Sequence, residues 1–172
     1  MLKLIGAMLI LSAGTLFGFF QSFQYSRRPK HLRSLIQALQ RLETEIAYGF
    51  TPLPDALAAI SRQSPKPLSA FFEQAASRLE GRDAPSIRES WRSAVDSEWK
   101  NTAMKENEKQ IMNELGLTIG MTDREDQVKH LRLAVLQLQG EEEQAREEQR
   151  RYETMWRSLG VLLGVLIVIL IY

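Results

Sequence analysis

The sequence predicts an all-α protein: a bundle of about six helices set between an N-terminal and a C-terminal transmembrane helix. Three observations predict it. Apolar residues collect at the two ends of the 172-residue chain and leave a charged middle. Within that middle they recur at steps of three and four, the period of one helix face. No stretch alternates strictly between apolar and polar, and no Asn-Gly turn joins two such stretches, so strand signals are missing. With 22 Lys and Arg against 21 Asp and Glu, the charge balance argues against a nucleic-acid partner. The absence of cysteine excludes disulfides, thiolate metal sites and a thiol nucleophile together.

The N-terminal end, residues 1–26, is the first expected span. Leu4 to Ser26 contains no charge in 23 residues, enough to cross a hydrocarbon core of about 30 Å with some tilt. Ser12 and Gly14 offer the small residues at which a signal peptide is cut. The apolar run continues past them through Phe17, Phe19, Phe20 and Phe23, however, so an uncleaved anchor is expected. Arg27, Arg28, Lys30 and Arg33 follow it with no acid before Glu43. By the positive-inside rule the chain beyond them is cytoplasmic.

The first helix of the domain is carried by Leu32, Leu35, Ile36, Leu39, Leu42 and Ile46, with Pro29 in its first turn and Gly49 as its stop. A second follows between Thr51, the expected N-cap, and Pro65. Leu68, Phe71, Phe72, Ala75 and Leu79 form a third, which Gly81 would close. Ile87, Trp91, Val95 and Trp99 lie four apart on a fourth, capped by Asp83 or Ser86. Two tryptophans on one stripe suit a core better than a binding surface, because each buries a large apolar area. Met104, Ile111, Met112, Leu115 and Ile119 outline a fifth helix, broken by Gly116 and Gly120. Thr122 and Glu125 have capping-box spacing ahead of a sixth, whose face is Val128, Leu131, Val135 and Leu138.

On this pattern residues 27–138 form a cytoplasmic helical domain. Residues 139–155, strongly polar and rich in charge, read as an exposed helical stalk with Glu142–Arg146 and Glu147–Arg151 in the favourable i,i+4 order. Residues 156–172 read as a second, thin span. Ser158 to Tyr172 are fifteen uncharged residues, roughly 22 Å of helix at about 1.5 Å per residue. Arginines flank only its inner side, and Trp156 and Tyr152 sit where an interfacial belt would place them. Both spans carry glycines four apart, Gly14 with Gly18 and Gly160 with Gly164. Such pairs let helix backbones approach in lipid, which suggests pairing of the spans or a homo-oligomer.

No chemistry stands out. His31 and His130 belong to no metal-ligand spacing, and no glycine-rich phosphate loop exists. The charged run from Asp123 through Arg124 and Glu125 to Asp126 suits a helix N-terminus, where acids complement the dipole; a catalytic or partner-docking role is the alternative. Neither a cofactor nor catalysis is expected.

Four stretches carry a family resemblance: MLKLIGA, RRPKHLRSLIQALQRLETEIAYGFTPLPDAL, LGLTIGMTDREDQVKHLRLAVLQL and SLGVLLGVLIVILIY. In this order and spacing the sequence resembles the stage III sporulation protein AB family of endospore-forming bacteria. The resemblance implies a mother-cell membrane protein of the channel-like complex around the forespore. Its helical domain would be similar to the six-helix module of inner-membrane platform proteins in type II secretion and type IV pilus machines. The implied partners are the cytoplasmic secretion-type ATPase of that complex, its other membrane subunits and the lipid bilayer. The family brings no catalytic residues. Pro29 and Pro52 match as positions only; Arg28, Glu43, Glu45, Asp123, Arg124, Glu125, Lys129 and His130 also match and are the candidate partner contacts. A protein acting mainly through its membrane helices, or a membrane-bound enzyme with an unrecognised site, are the other readings.

Overall fold

The structure, a computed structural model, describes residues 26–49, 51–79, 85–121 and 123–171, with only some side chains beyond Tyr152. The described residues contain no strand and form six α-helices joined by short turns and irregular segments. They are α1 (Arg27–Thr44), α2 (Leu53–Gln63), α3 (Leu68–Ser77), α4 (Ile87–Glu98), α5 (Glu106–Gly116) and α6 (Arg124–Ile171). A π-helical turn, Glu45–Gly49, ends α1, and a 3₁₀ turn, Trp99–Asn101, ends α4. The chain divides into a compact unit, Arg28–Glu143, and a second unit of Met1–Arg27 with Gln144–Tyr172.

Inside the compact unit the expected faces turn inward. Leu32, Leu35, Leu39 and Leu42 of α1 are fully buried, as are Leu131 and Leu138 of α6. Each such leucine removed from water contributes roughly 1.5–3 kcal/mol. In chain order α2 packs on α3, α3 on α4 and α4 on α5, and Phe71 meets Trp91 edge to face at 5.2 Å. The core reading of the tryptophans holds for Trp91, which is buried and donates its indole N–H to the Met112 carbonyl at 2.7 Å. Trp99 lies in the 3₁₀ turn and stays partly exposed, its N–H on the Lys105 carbonyl. Gly116 is needed where α5 crosses α4, because a Cβ there would overlap the Trp91 ring. Gly120 has φ +73°, the left-handed conformation that glycine adopts without strain.

Several helix ends differ from expectation. Thr51 does not cap α2; its hydroxyl donates to Glu45 Oε2 at 2.9 Å and Pro52 takes the cap position. That bond fills the space a Cβ on Gly49 would need. Of the two caps considered for α4, Ser86 forms a capping box with Glu89; Asp83, like Gly81, lies outside the described residues. For α6 the cap is Asp123 rather than Thr122. The Asp123 carboxylate accepts the Asp126 amide at 2.9 Å, and its carbonyl accepts from Gln127. Thr122 itself lies outside the described residues.

The compact unit also continues to Glu143, past the expected end at 138. Glu141 and Glu142, placed on the stalk by sequence, turn back to Arg28 and Arg33 at 2.8 and 3.1 Å. Helix α6 passes through Gly140 without a break, and nothing lies within 4 Å of a Cβ built there. In the second unit, Thr154 and Ser158 donate their hydroxyls to carbonyls one turn back, Arg150 and Thr154.

The two expected spans are not supported by the structure. Residues 1–25, with Gly14 and Gly18, lie outside the described residues, and the surroundings of Gly160 and Gly164 are likewise outside the description. Among the described residues no helix is long and apolar enough to cross a membrane.

Candidate functional site

Helices α1 and α6 lie antiparallel, and the ion pairs between them show it. Near the start of α1, Arg28 reaches Glu141; near its end, Glu43 accepts from Arg132 Nε at 2.7 Å. The candidate contact residues therefore separate into two poles.

At the first pole stands Arg28 alone of the eight. It is buried, with Nε donating to Glu108 Oε1 at 2.8 Å and Nη2 to Glu141 Oε2 at 2.8 Å. Glu108 is fully buried at the third position of α5, where its other oxygen accepts the Lys105 amide. One carboxylate thus caps α5 and holds α1 in the same geometry. Removing water from these charges is costly unless each is paired and hydrogen-bonded, as here. Arg28 is therefore not a surface contact but a clamp between α1, α5 and α6. Beside it, the Ala103 amide donates to His31 Nδ1 at 3.0 Å, a second tie to the segment ahead of α5.

The other seven candidates gather at the opposite pole, where the end of α1 meets the start of α6. Glu43 is held by Arg132 and Glu45 by Thr51. Asp123 caps α6, and Arg124, Glu125, Lys129 and His130 are exposed on its first two turns. Lys129 pairs with Glu125 and Asp126, each at 3.3 Å. Its hydrogen bond to Asp126, then that to Glu125, holds the ammonium pKa above its usual 10.5. Such exposed pairs add little stability. What they offer is a surface of closely alternating sign, suited to recognising a complementary protein surface.

Glu108, Glu141 and Arg132 complete both poles and were not among the candidates. For Glu108 a signal existed: Met104, Glu108 and Met112 follow at steps of four, which puts this glutamate on the buried stripe. Arg132 and Glu141 carry no such mark, since their partners are 89 and 113 residues away. Among the described residues no group of three or more His, Asp or Glu side chains could hold a metal ion.

The comparisons with known proteins extend over the whole of this arrangement. The family model for stage III sporulation protein AB matches residues 3–172. The chain belongs to the stage III sporulation protein AB family. The protein of that name from Bacillus subtilis (strain 168) is 37% identical over 171 residues, 99% of either chain. A solved structure of stage III sporulation protein AB superposes with a TM-score of 0.68 at 34% identity, covering 73% of this chain and 98% of that one. The family and the all-helical sporulation-protein fold expected from the sequence are thus established.

Proposed function

We propose that this member of the family is a non-enzymatic platform subunit. Its helical unit is held on the cytoplasmic face of the mother-cell membrane by two spans, residues 1–26 and 156–172, within the secretion-like complex around the forespore. Its role is to dock that complex's cytoplasmic secretion-type ATPase beside the other membrane subunits. The observation that carries this reading is the Arg28–Glu141 contact, which brings both exits of the compact unit to one pole. A domain tethered at both ends needs its exits side by side, and tethering raises its effective concentration for partners near the bilayer. The exposure of Leu159, Leu162 and Ile169 on α6 supports the second span, because helix faces in lipid are apolar. The opposite, charged pole then faces the cytoplasm as the docking surface.

Recruitment to membranes tests it. Purified membranes carrying the full chain should bind the ATPase above the level of empty membranes. Exchanging the charges at two exposed positions, Glu125→Lys with Lys129→Glu, keeps their mutual pairing but inverts the surface, and should abolish the difference. Equal binding to empty membranes would refute the adaptor role; recruitment unaffected by the exchange would move the docking surface elsewhere.

A further inference from the structure

Trp99 breaks the pattern of its helix. Continuing the stripe of Ile87, Trp91 and Val95 would bury it, yet the 3₁₀ turn carries it to the surface, where it stays partly exposed. Its indole N–H donates to the Lys105 carbonyl at 3.2 Å, so the polar edge of the ring is satisfied within the turn. Lys100, Asn101 and Lys105 around it are exposed. Short bonds fix where this α4–α5 turn sits. The Ala103 amide donates to His31 near the start of α1. The Lys105 amide donates to Glu108, which accepts from Arg28, the first residue of the compact unit. Arg28 also donates to Glu141, close to where that unit ends. Trp99 and Lys100 thus belong to the pole where the chain enters and leaves the compact unit. The charges there are sorted by depth. Glu108, Glu141 and Glu142 are buried or nearly so against Arg28 and Arg33. Lys30, Lys100 and Lys105 are exposed, beside the exposed acids Glu106 and Glu143 and a half-buried Glu98 that accepts from Asn101.

We infer that the α4–α5 turn is a third membrane contact, with the Trp99 ring and Lys100 seated in the phospholipid headgroup layer. The inference rests on the two-span reading, in which the uncharged run Leu4 to Ser26 crosses the bilayer. Chain reach then selects the occupant. Arg28 follows Ser26 by two residues, a reach of at most roughly 7 Å along any path. The headgroup layer on each side of the hydrocarbon core is itself roughly 5–7 Å thick. A pole held that close meets lipid headgroups and leaves no room for a folded partner in between. The side chains suit that layer. Indole rings concentrate where one edge is apolar and the other wet. Lysine ammonium groups beside them are attracted to the phosphates. A headgroup contact also gives Trp99 a use outside the core that its spacing would otherwise have given it.

The test uses the absence of cysteine from the chain. A single Asn101→Cys carries an environment-sensitive fluorophore on the full chain, reconstituted alone in vesicles of phosphatidylethanolamine and phosphatidylglycerol. Part of the lipid bears a nitroxide just below the headgroup. The label at 101 should be quenched at least about twofold, because it reports from the interfacial layer. The same label at Glu125→Cys, on the opposite pole, should not be quenched. Adding Trp99→Ser with Lys100→Glu should remove most of the quenching at 101, and Lys100→Glu alone a smaller part. Quenching at 101 no stronger than at 125, or unchanged in the double variant, overturns the inference. If the chain then still resists extraction by alkaline carbonate, the two-span reading stands without it. Extraction by carbonate overturns that reading and the inference together.

Discussion

The two poles of the α1–α6 pair are built from the same residue types and work in opposite ways. At one, Arg28, Glu108 and Glu141 are shut away from water, and each charge is tied to a different helix. At the other, Glu125, Asp126 and Lys129 lie on a single helix and face solvent. Coulomb attraction is several times stronger at the buried pole, but so is the cost of leaving one member unpaired. The lesson is that an ion pair's contribution depends on what its loss would leave behind. Buried charges fix geometry; exposed ones are available for partners.

The largest expected effect comes from breaking the buried set. Glu108→Ala strands Arg28 in a buried position and removes the α5 cap, and should cost about 3–5 kcal/mol of unfolding free energy by urea titration. A loss below about 1 kcal/mol would mean that water reaches this pole freely, and the contrast between the poles would collapse. A sharper variant replaces the whole set with apolar residues, Arg28→Met, Glu108→Leu and Glu141→Leu. It should recover most of the loss, because no charge is then stranded. If it does not, the clamp contributes more than paired desolvation explains.

Smaller effects belong to the exposed pole. Asp123→Ala removes the α6 cap and should cost about 1 kcal/mol, read from the same titration. The smallest is Lys129→Met, for which the denaturation midpoint should not move measurably. Its pH behaviour follows from the sign of its shift. A raised lysine pKa contributes stability that is fully present below 10.5 and lost only as pH climbs through the raised value. The wild-type and Lys129→Met proteins should therefore show parallel stability profiles between about pH 6 and 9. Divergence within that window would mean that Lys129 is coupled to groups beyond Asp126 and Glu125.

Much of this fold was legible because helix periodicity is a local property. The buried leucines of α1 and α6, the Phe71–Phe72 pair and Trp91 could all be read from steps of three and four. Caps were harder, because one side chain can satisfy several partners. Thr51 looked like an N-cap until Glu45 claimed its hydroxyl, and the α6 cap moved by one residue to Asp123. The candidate site was readable only as a set of charged positions. Nothing local separates Arg28, which is buried, from Arg124, which is exposed. A groove between α4 and α5 was not legible at all, since Arg88 and Asn113, far apart in sequence, both line it in the fold, where Gly116 lets α5 approach Trp91.

By itself, then, the sequence determined the helical class, which face of each helix is apolar, the family, and the separation of a charged middle from apolar ends. Each of these follows from the order of residues along a few turns. Only the tertiary structure decided which charges are stranded from water, which acid holds which arginine across 80 residues or more, and where a groove remains open. Those outcomes depend on distances between helices, and such distances are set by how whole faces pack, not by any residue alone.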